Sequence, residues 1–176
     1  LNDHTNGTDW RSGLTEDNRD ISWSRCIYME AAEAIDSFNW KHWKAIDSEH
    51  DWKNAEVEVV DIWHFLISDS MAQNKSQFIE NIKFLNKKET KDHLAVISIL
   101  EQIMIESITA AQGSILNIEK TSNLFVMLLS EIGLSSDDLY IKYVVKNQLN
   151  SFRQNNGYKD GSYIKIWGMV EDNVIA

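Results

Sequence analysis

The chain has 176 residues, a formal net charge of −10 at pH 7 and no proline. This length suits a single domain with a core of its own, and the absence of proline, which helix interiors tolerate least, favours a mostly helical fold. The acidic balance argues against general nucleic-acid binding, because affinity for phosphate backbones comes mainly from clustered Lys and Arg. A protein of this charge that handles a phosphate compound needs a local basic cluster or a metal ion.

The composition also bears on the expected compartment. The single cysteine, Cys26, has no partner for an internal disulfide, as is usual for cytoplasmic proteins. No apolar run reaches the ~18 residues needed to cross a bilayer, and the first residues do not resemble a secretory signal. We therefore expect a cytoplasmic protein that binds neither nucleic acid nor membrane.

The first 54 residues are predicted to contain one helix between two irregular segments. Residues 2–20 are rich in turn-forming residues and lack a helical apolar repeat, so we expect an ordered loop or tail there. Residues 39–54 are polar and rich in tryptophan, which predicts a connection with one short helical turn. Between them a helix is predicted over about 22–38, where apolar residues recur at helical spacing: Ile27, Ala31, Ala34, Ile35 and Phe38.

The middle of the chain carries three further helical patterns. The stretch AEVEVVDIWHFLIS, within a helix predicted over about 54–70, has apolar residues on nearly every side. That pattern is typical of a helix that is buried all round. Weaker helical patterns follow at about 76–86 and 91–112.

Two more helices precede an irregular tail. Residues 114–134 are predicted to form a helix that ends at Gly133, and residues 135–154 a helix capped by Ser135 or Ser136. After Arg153 the sequence QNNGYKDGSYIKIWG is rich in Asn, Gly and Tyr, which predicts a loop that is suited to a functional role. The patterns together predict an all-α fold.

Two pairs of acidic residues point to chemistry. Glu30 and Glu33 are three residues apart on one predicted helix, and Glu58 and Asp61 repeat this spacing on the next, so each pair projects from one helix face. If the faces converge, the carboxylates repel one another unless hard cations lie between them. Mg²⁺ is the expected cation, because it prefers oxygen ligands and leaves positions open for water and substrate phosphate.

Two other interpretations of these acids are possible, a solvated surface and a di-iron site. Acids three residues apart are common on solvated helix surfaces, although Glu58 and Asp61 are flanked by apolar residues that leave little hydrophilic face. A di-iron site would require a histidine three residues after a glutamate on two helices. Asp61 and His64 imitate that spacing once, and Glu30 and Glu33 have no such histidine, so a hard-metal site is preferred.

Three segments resemble the all-α dimeric dUTPases and occur in that family's order: MEAAEAIDSFNWKHWK, EVVDIWHFLIS and KNQLNSFRQNNGYKDGSYIKIW. The combination of E-x-x-E, E-x-x-D and the loop FRQNNGYKDG is far more specific than either acid pair alone. The similarity is greatest to epsilon-proteobacterial and phage-like members. It implies a helical bundle of the all-α nucleoside triphosphate pyrophosphatase type, related to MazG-like enzymes, that forms a homodimer.

The resemblance implies hydrolysis of dUTP, and also of dUDP, to dUMP with release of pyrophosphate or phosphate. Glu30, Glu33, Glu58 and Asp61 would bind Mg²⁺, with more than one ion in each site. Glu33 would orient and deprotonate the attacking water, because a general base must lie within hydrogen-bonding reach of it. Attack would fall on the β-phosphorus.

The basic tail would bind the phosphates. Between Lys146 and Lys165 the chain carries four cations and one acid, Asp160. The resemblance implies that this segment closes over the phosphates, where Arg153 can fork onto their oxygens while lysines act as point charges. The expected phosphate-binding residues are Lys146, Arg153, Tyr158, Lys159 and Lys165.

The nucleoside contacts also follow from the resemblance. Asn2 matches an asparagine that binds uracil, and an amide can meet the edge of uracil with both a donor and an acceptor. His64 and Phe65 match residues that line the base, and His42 matches another residue of the pocket wall. Asn150 matches the residue that contacts the deoxyribose 3′-hydroxyl and helps to exclude ribonucleotides.

Two alternatives to dUTP hydrolysis stay open at this point. One is hydrolysis of dCTP, or of both pyrimidine nucleotides, because cytosine differs from uracil only at the edge that Asn2 would contact. The other is an inactive helical module that binds metal or regulates, although the four acids and the FRQNNGYKDG loop are intact.

Overall fold

The computed structural model describes residues 1–43 and 48–175, and its regular structure is almost entirely helical. This confirms the all-α prediction. Part of the predicted connection over 39–54 lies outside the described residues. The helices are α1 (Asn2–Asn6), α2 (Trp23–Asp36), α3 (Trp52–Ala72), α4 (Ser76–Glu80), α5 (His93–Ala111), α6 (Ile118–Ile132), α7 (Ser136–Asn155) and α8 (Asp172–Ile175). A two-stranded hairpin, β1 (Ile166–Trp167) and β2 (Val170–Glu171), precedes α8.

Side chains at the helix starts pair with backbone N–H groups that have no partner inside the helix. Ser22 accepts a hydrogen bond from the backbone of Arg25 at 3.3 Å at the start of α2. Ser135 and Asp138 form a reciprocal capping box at the start of α7. Gly133 ends α6 in the left-handed conformation, with φ of 83°. The predicted ends at Gly133 and Ser135 are therefore confirmed.

The core lies between α2, α3, α5 and α6. α2 packs most extensively against α3 and next against α5, and α5 packs against α6. On the inner face of α2, Ala31 and Ala34 are fully buried, as is Ala55 on α3. Such small side chains let helix backbones approach closely, which brings the acid-bearing turns of α2 and α3 together.

Helix α5 is the most apolar of the long helices in the described chain. By length and composition alone it could cross a bilayer. In this fold Val96, Leu100 and Ile103 of α5 belong to the core, while Leu94 and Ile105 are exposed. The core therefore accounts for part of its apolar surface.

The prediction of a helix over 76–86 is wrong in its second half. Helix α4 ends at Glu80, where the Asn81 side chain donates to the Gln77 carbonyl at 2.7 Å. The chain that follows runs beside α6, because the Ser130 hydroxyl donates to the Asn86 carbonyl at 2.7 Å and the Lys88 N–H donates to the Ser130 carbonyl at 3.0 Å. Tertiary hydrogen bonds replace those of a helix here.

The N-terminal segment, predicted as an irregular loop or tail, contains α1 and a 3₁₀ turn over Trp10–Ser12. The Trp10 side chain is buried, lies edge-on to Trp23 with ring centroids 5.7 Å apart, and donates from Nε1 to Asp3 at 2.7 Å. One buried tryptophan thus anchors a segment whose composition favours turns.

The tail after α7 folds back onto that helix. It begins with a tight loop in which Gly157 has φ of 89°, and a side chain at this position would collide with Ser162. The hairpin then turns through Gly168 and Met169, which have φ values of 57° and 74°. Asp172, directly after the hairpin, is buried against α7.

Candidate active site

Three of the four predicted metal ligands converge. Glu30 and Glu33 of α2 and Glu58 of α3 each offer a carboxylate oxygen, and these oxygens all lie within 4.8 Å of one another. Glu30 and Glu58 are partly buried, whereas Glu33 is exposed. Three anionic oxygens at this separation can serve as ligands of a hard divalent cation, and Mg²⁺ fits this all-oxygen donor set.

Asp61, the fourth predicted ligand, is held by a lysine. Its Oδ2 lies 2.7 Å from Nζ of Lys146 on α7, and the two side chains are 15% and 11% exposed. Asp61 nevertheless acts on the other acids, since its charge contributes to raising the pKa values of Glu30 and Glu58. The four acids therefore form one electrostatic cluster beside Lys146.

Burial and mutual repulsion favour the protonated acids of this cluster. Burial, followed by the charges of Asp61, Glu58 and Glu33, raises the pKa of Glu30 to about 8. Burial likewise raises the pKa of Glu58 and of Asp61, and the charge of Lys146 opposes both shifts. A bound divalent cation would offset the same repulsion, so the cluster is suited chemically to metal binding.

Arg153, predicted to fork onto phosphate, forks onto a carboxylate of its own chain. Its Nε and Nη2 donate to the two carboxylate oxygens of Asp172 at 2.9 and 2.5 Å, and Nη1 donates to Asn150 Oδ1 at 3.3 Å. The hydrogen bonds from Arg153, which outweigh the effect of burial, lower the pKa of Asp172 to about 2. Asn150, the predicted sugar contact, thus lies beside the predicted phosphate ligand.

The other predicted phosphate residues lie in two places. The Tyr158 ring centroid is 5.8 Å from Cζ of Arg153 and 5.3 Å from Nζ of Lys165, so these three side chains form one group. Lys159 points elsewhere: its Nζ lies 3.8 Å from Asp17, and both side chains are 60% exposed. The structure therefore brings Lys165 and Tyr158 to Arg153 and directs Lys159 to the N-terminal segment.

A cavity of about 200 Å³ lies between the N-terminal segment, α3 and α7 and is lined by Asn2, Trp10, His64, Ser68, Tyr143 and Asn147, among others. On α3, His64 follows Asp61 of the acid cluster by three residues. The His64 ring stacks on the Tyr143 ring at 4.2 Å, and burial followed by the charge of Lys146 lowers the pKa of His64 to about 4. His64 Nε2 is buried without a partner among the described residues. The Asn2 amide donates to the Ser68 hydroxyl at 2.9 Å. This cavity has the aromatic and amide groups that a planar heterocycle requires.

Two residues predicted to contact the base do not line this cavity. Phe65 stacks on Trp23 with ring centroids 6.1 Å apart and packs against the core. His42 is exposed and lies edge-on to Trp43 at 4.9 Å. Asn2 and His64 are the predicted base contacts that the structure brings together.

Tyr143 and Asn147 are candidate site residues that the sequence analysis missed. They share one face of α7 with Lys146, Asn150 and Arg153. Residues three or four positions apart lie on the same side of a helix, and each of these five residues has another of them at such a distance. A polar stripe at this spacing, on a helix preceding the basic loop, was the available signal. Asp172 and Asn173 were also missed, because a tail rich in turn formers has no period from which to predict contacts.

Comparison with known proteins identifies a family for this chain. A protein-family model described as dUTPase matches residues 1–158. None of the curated proteins compared with the chain matches it. The matched range includes the four acids, the residues of the cavity and Arg153, and it ends before β1.

Proposed function

The chain belongs to the dUTPase family, and on this premise we propose that it hydrolyses dUTP and dUDP to dUMP in a reaction that depends on Mg²⁺. Family membership itself supports dUTP diphosphatase activity. The observation that carries the finer proposal is the convergence of Glu30, Glu33 and Glu58. The cavity lined by Asn2 and His64 supports it. Lys146 connects the acid cluster with the cavity. Its side chain contacts Asp61, and it lies between the cavity residues Tyr143 and Asn147 on α7.

The four acids would hold the metal. Their combined charge of about −4 when ionised matches that of two divalent cations, which supports more than one Mg²⁺ in the site. Bound Mg²⁺ would polarise phosphoryl oxygens and offset the charge of the polyphosphate. Asp61 would exchange its ion pair with Lys146 for a metal contact, which frees Lys146 to move towards phosphate.

Glu33 is the proposed general base. It is the exposed member of the converging trio, so water can reach its carboxylate. Glu33 would accept a proton from water as the water oxygen forms a bond to phosphorus and the bond to the leaving phosphate oxygen breaks. Glu30 and Glu58, which are more buried, serve as metal ligands in this scheme.

The basic group around Arg153 would bind the phosphates. Arg153, Lys165 and Tyr158 already lie together, and Lys146 lies beside the acids. In phosphoryl transfer such groups stabilise charge on the phosphoryl oxygens. Lys159 would have to leave Asp17 to take part.

The cavity would bind the base. With a pKa of about 4, His64 is neutral at pH 7 and can accept a hydrogen bond at one ring nitrogen while it donates at the other. The amide of Asn2 supplies both a donor and an acceptor, and Asn150 would contact the sugar 3′-hydroxyl. Contact of Phe65 and His42 with the base stays a prediction.

A substrate panel tests the proposal. Turnover of dUTP, dUDP, dCTP and dTTP would be compared with Mg²⁺ and with EDTA. We expect hydrolysis of dUTP and dUDP that EDTA abolishes. A preference for dCTP would overturn the base assignment, and no turnover of any of the four would favour a helical module without chemistry.

We also propose that the protein is a single-domain, cytoplasmic homodimer. Exposed apolar side chains on α5 and α6, Leu94, Ile105, Ile108 and Met127, support burial against a second copy. Light scattering coupled to size exclusion should give twice the mass of 20.3 kDa. A monomer mass across the concentrations used for assays would contradict the dimer.

A further inference from the structure

We infer that Asp172 and Asn173 are positioning residues that hold Arg153, Lys146 and Lys165 in their phosphate-binding arrangement. The inference rests on the proposed function, because that proposal assigns these cations to phosphate. Both residues lie beyond residue 158, where the family match ends. Neither belongs to the motifs that the sequence analysis identified.

Asp172 contacts two of these cations. Its carboxylate accepts hydrogen bonds from Nε and Nη2 of Arg153 and, at 2.7 Å, from the Tyr163 hydroxyl. Its backbone N–H donates to the Lys165 carbonyl at 2.9 Å. Asp172 therefore fixes the guanidinium plane of one cation and the backbone of another.

The side-chain amide of Asn173 also contacts two cations. Its Oδ1 accepts from Nη2 of Arg153 at 2.9 Å and from Nζ of Lys146 at 3.2 Å. One neutral oxygen thus bridges two cations that would otherwise repel each other. Lys146 is held at the same time by Asp61, so the bridge connects the tail to the acid cluster.

The tail contacts the rest of the protein largely through polar groups. Among residues 154–173, Asp172 is the buried side chain, while the apolar side chains of the hairpin are exposed. The tail is therefore anchored by polar contacts at Arg153 and Lys146, in addition to ring contacts of Tyr163 and Trp167 with Phe152. An anchor of this kind sets the orientation of the cations it contacts, because charged hydrogen bonds are directional.

Asp172 could act in the opposite sense, as an internal carboxylate that competes with phosphate for Arg153. The geometry favours positioning, because Nη1 of Arg153 does not bond to Asp172 and donates instead to Asn150. In this inference Nη1 would be the group that contacts phosphate, so Asp172 would not have to be displaced. The two roles predict changes of opposite sign in phosphate affinity.

The test uses Asp172→Asn, which retains the shape of the side chain but removes its charge. We expect KM for dUTP to rise at least about 10-fold with a smaller loss of kcat, because displaced binding groups weaken substrate positioning. Calorimetry with pyrophosphate and Mg²⁺, which needs no turnover, should show weaker binding by a similar factor. The matched control, Glu171→Gln, removes the charge of the adjacent exposed carboxylate and should leave both values unchanged.

A double variant separates positioning from a purely structural effect. If Asp172 acts mainly through Arg153, adding Asp172→Asn to Arg153→Lys should weaken pyrophosphate binding little further. Asn173→Ala leaves the Arg153–Asp172 pair intact and should raise KM in the same direction. If Asp172→Asn loses the helical circular dichroism signal, Asn173→Ala provides the test in its place.

Each contrary result has a distinct meaning. Tighter pyrophosphate binding by Asp172→Asn would overturn positioning in favour of competition. Unchanged KM and pyrophosphate affinity in a folded, active Asp172→Asn variant would overturn the inference and leave the proposed function intact. A wild-type protein that binds pyrophosphate but hydrolyses neither dUTP nor dUDP would instead overturn the proposed function.

Discussion

The ammonium group of Lys146 lies 2.7 Å from a carboxylate oxygen of Asp61, so a predicted phosphate ligand and a predicted metal ligand form one ion pair. Both side chains are largely buried, which makes an unpaired charge at either position costly. In the proposed mechanism, metal binding at Asp61 and phosphate binding at Lys146 would be coupled. The metal would replace Lys146 as the partner of Asp61, and the phosphate would replace Asp61 as the partner of Lys146.

Lys146→Met tests this coupling. We expect KM for dUTP to rise at least about 10-fold, because the variant loses a phosphate contact and leaves Asp61 without its cation. Lys142→Met is the control: Lys142 is one turn earlier on α7 and pairs with Glu56 at 3.1 Å, and it is more exposed. Steady-state kinetics should show less than about a twofold change for this control, since exposed ion pairs contribute little. Equal effects of the two substitutions would contradict the coupling.

Glu33→Gln should abolish most hydrolysis and leave the fold intact. The amide cannot accept the water proton, so kcat should fall by at least about 100-fold, within the usual contribution of a general base. Circular dichroism should show unchanged helicity, because Glu33 is exposed. Asp36→Asn, three residues later on α2 and paired with Lys41, should retain activity. Activity of Glu33→Gln close to wild type would remove Glu33 from its role.

Stability of the metal-free protein should fall as the pH rises. The unfolded chain releases the Glu30 proton near its ordinary pKa of 4.5, whereas the folded protein retains it up to about 8. Between these values the folded state binds more protons, so raising the pH favours unfolding, and the raised pKa values of Glu58 and Asp61 act in the same direction. Thermal unfolding at about pH 5.5 and about pH 8.5 measures this difference.

Mg²⁺ should reverse that trend. A cation replaces the proton in the cluster, so Mg²⁺ should raise Tm more at high pH than at low pH. Glu30→Gln, which is neutral at every pH, should flatten the pH dependence. A Tm increase with Mg²⁺ that is the same at both pH values would show that the cluster is not the binding site.

Asn147→Ala should weaken binding of the base. Asn147 lines the cavity, and its side chain hydrogen-bonds with Tyr143, which stacks on His64. We expect KM for dUTP to rise about 10-fold, because an ordered polar contact in the cavity is lost. Gln148→Ala, at the adjacent exposed position, should have no effect. If both variants bind dUTP like wild type, the base lies elsewhere.

Ala31→Leu should separate the acid-bearing helices. Ala31 is fully buried in the core that α2 and α3 form, so a larger side chain should cost about 1–3 kcal/mol in the free energy of unfolding. Ala32→Leu, at a partly exposed position, should cost less than about 0.5 kcal/mol. Urea denaturation measures both. Mg²⁺-dependent activity should fall only in Ala31→Leu, and retention of activity there would contradict the need for close approach.

The helices and the placement of each acid pair on one helix face were largely predictable because both depend on local spacing. Three-residue intervals place Glu30 with Glu33 and Glu58 with Asp61 whatever the tertiary structure, and Gly133 and Ser135 mark a helix boundary by their backbone chemistry alone. Whether the two pairs meet depends on the packing of α2 against α3. Ala31 and Ala34, whose small side chains allow close approach, are buried on the inner face of α2, whereas Ala32 is only partly buried.

The remaining features depend on contacts between distant parts of the chain. The sequence around residues 81–88 does not show that the Asn86 carbonyl and the Lys88 N–H will form hydrogen bonds with Ser130. The predicted helix therefore extended too far beyond Glu80. The fork of Arg153 onto Asp172 joins residues 19 positions apart through an irregular tail. Periodicity carries no information about such a pairing.

The turn through Gly168 and Met169 is a position at which the stability of the folded tail can be changed. Both residues have positive φ, a geometry that asparagine and glycine adopt readily and that costs methionine about 1 kcal/mol. Met169 is also 95% exposed, so its side chain contributes little packing in return. Glycine or asparagine at this one solvent-facing position would lengthen the time that the tail spends docked. A substitution at this position would therefore change the stability of the docked tail without altering any of the side chains proposed to bind metal, phosphate or base.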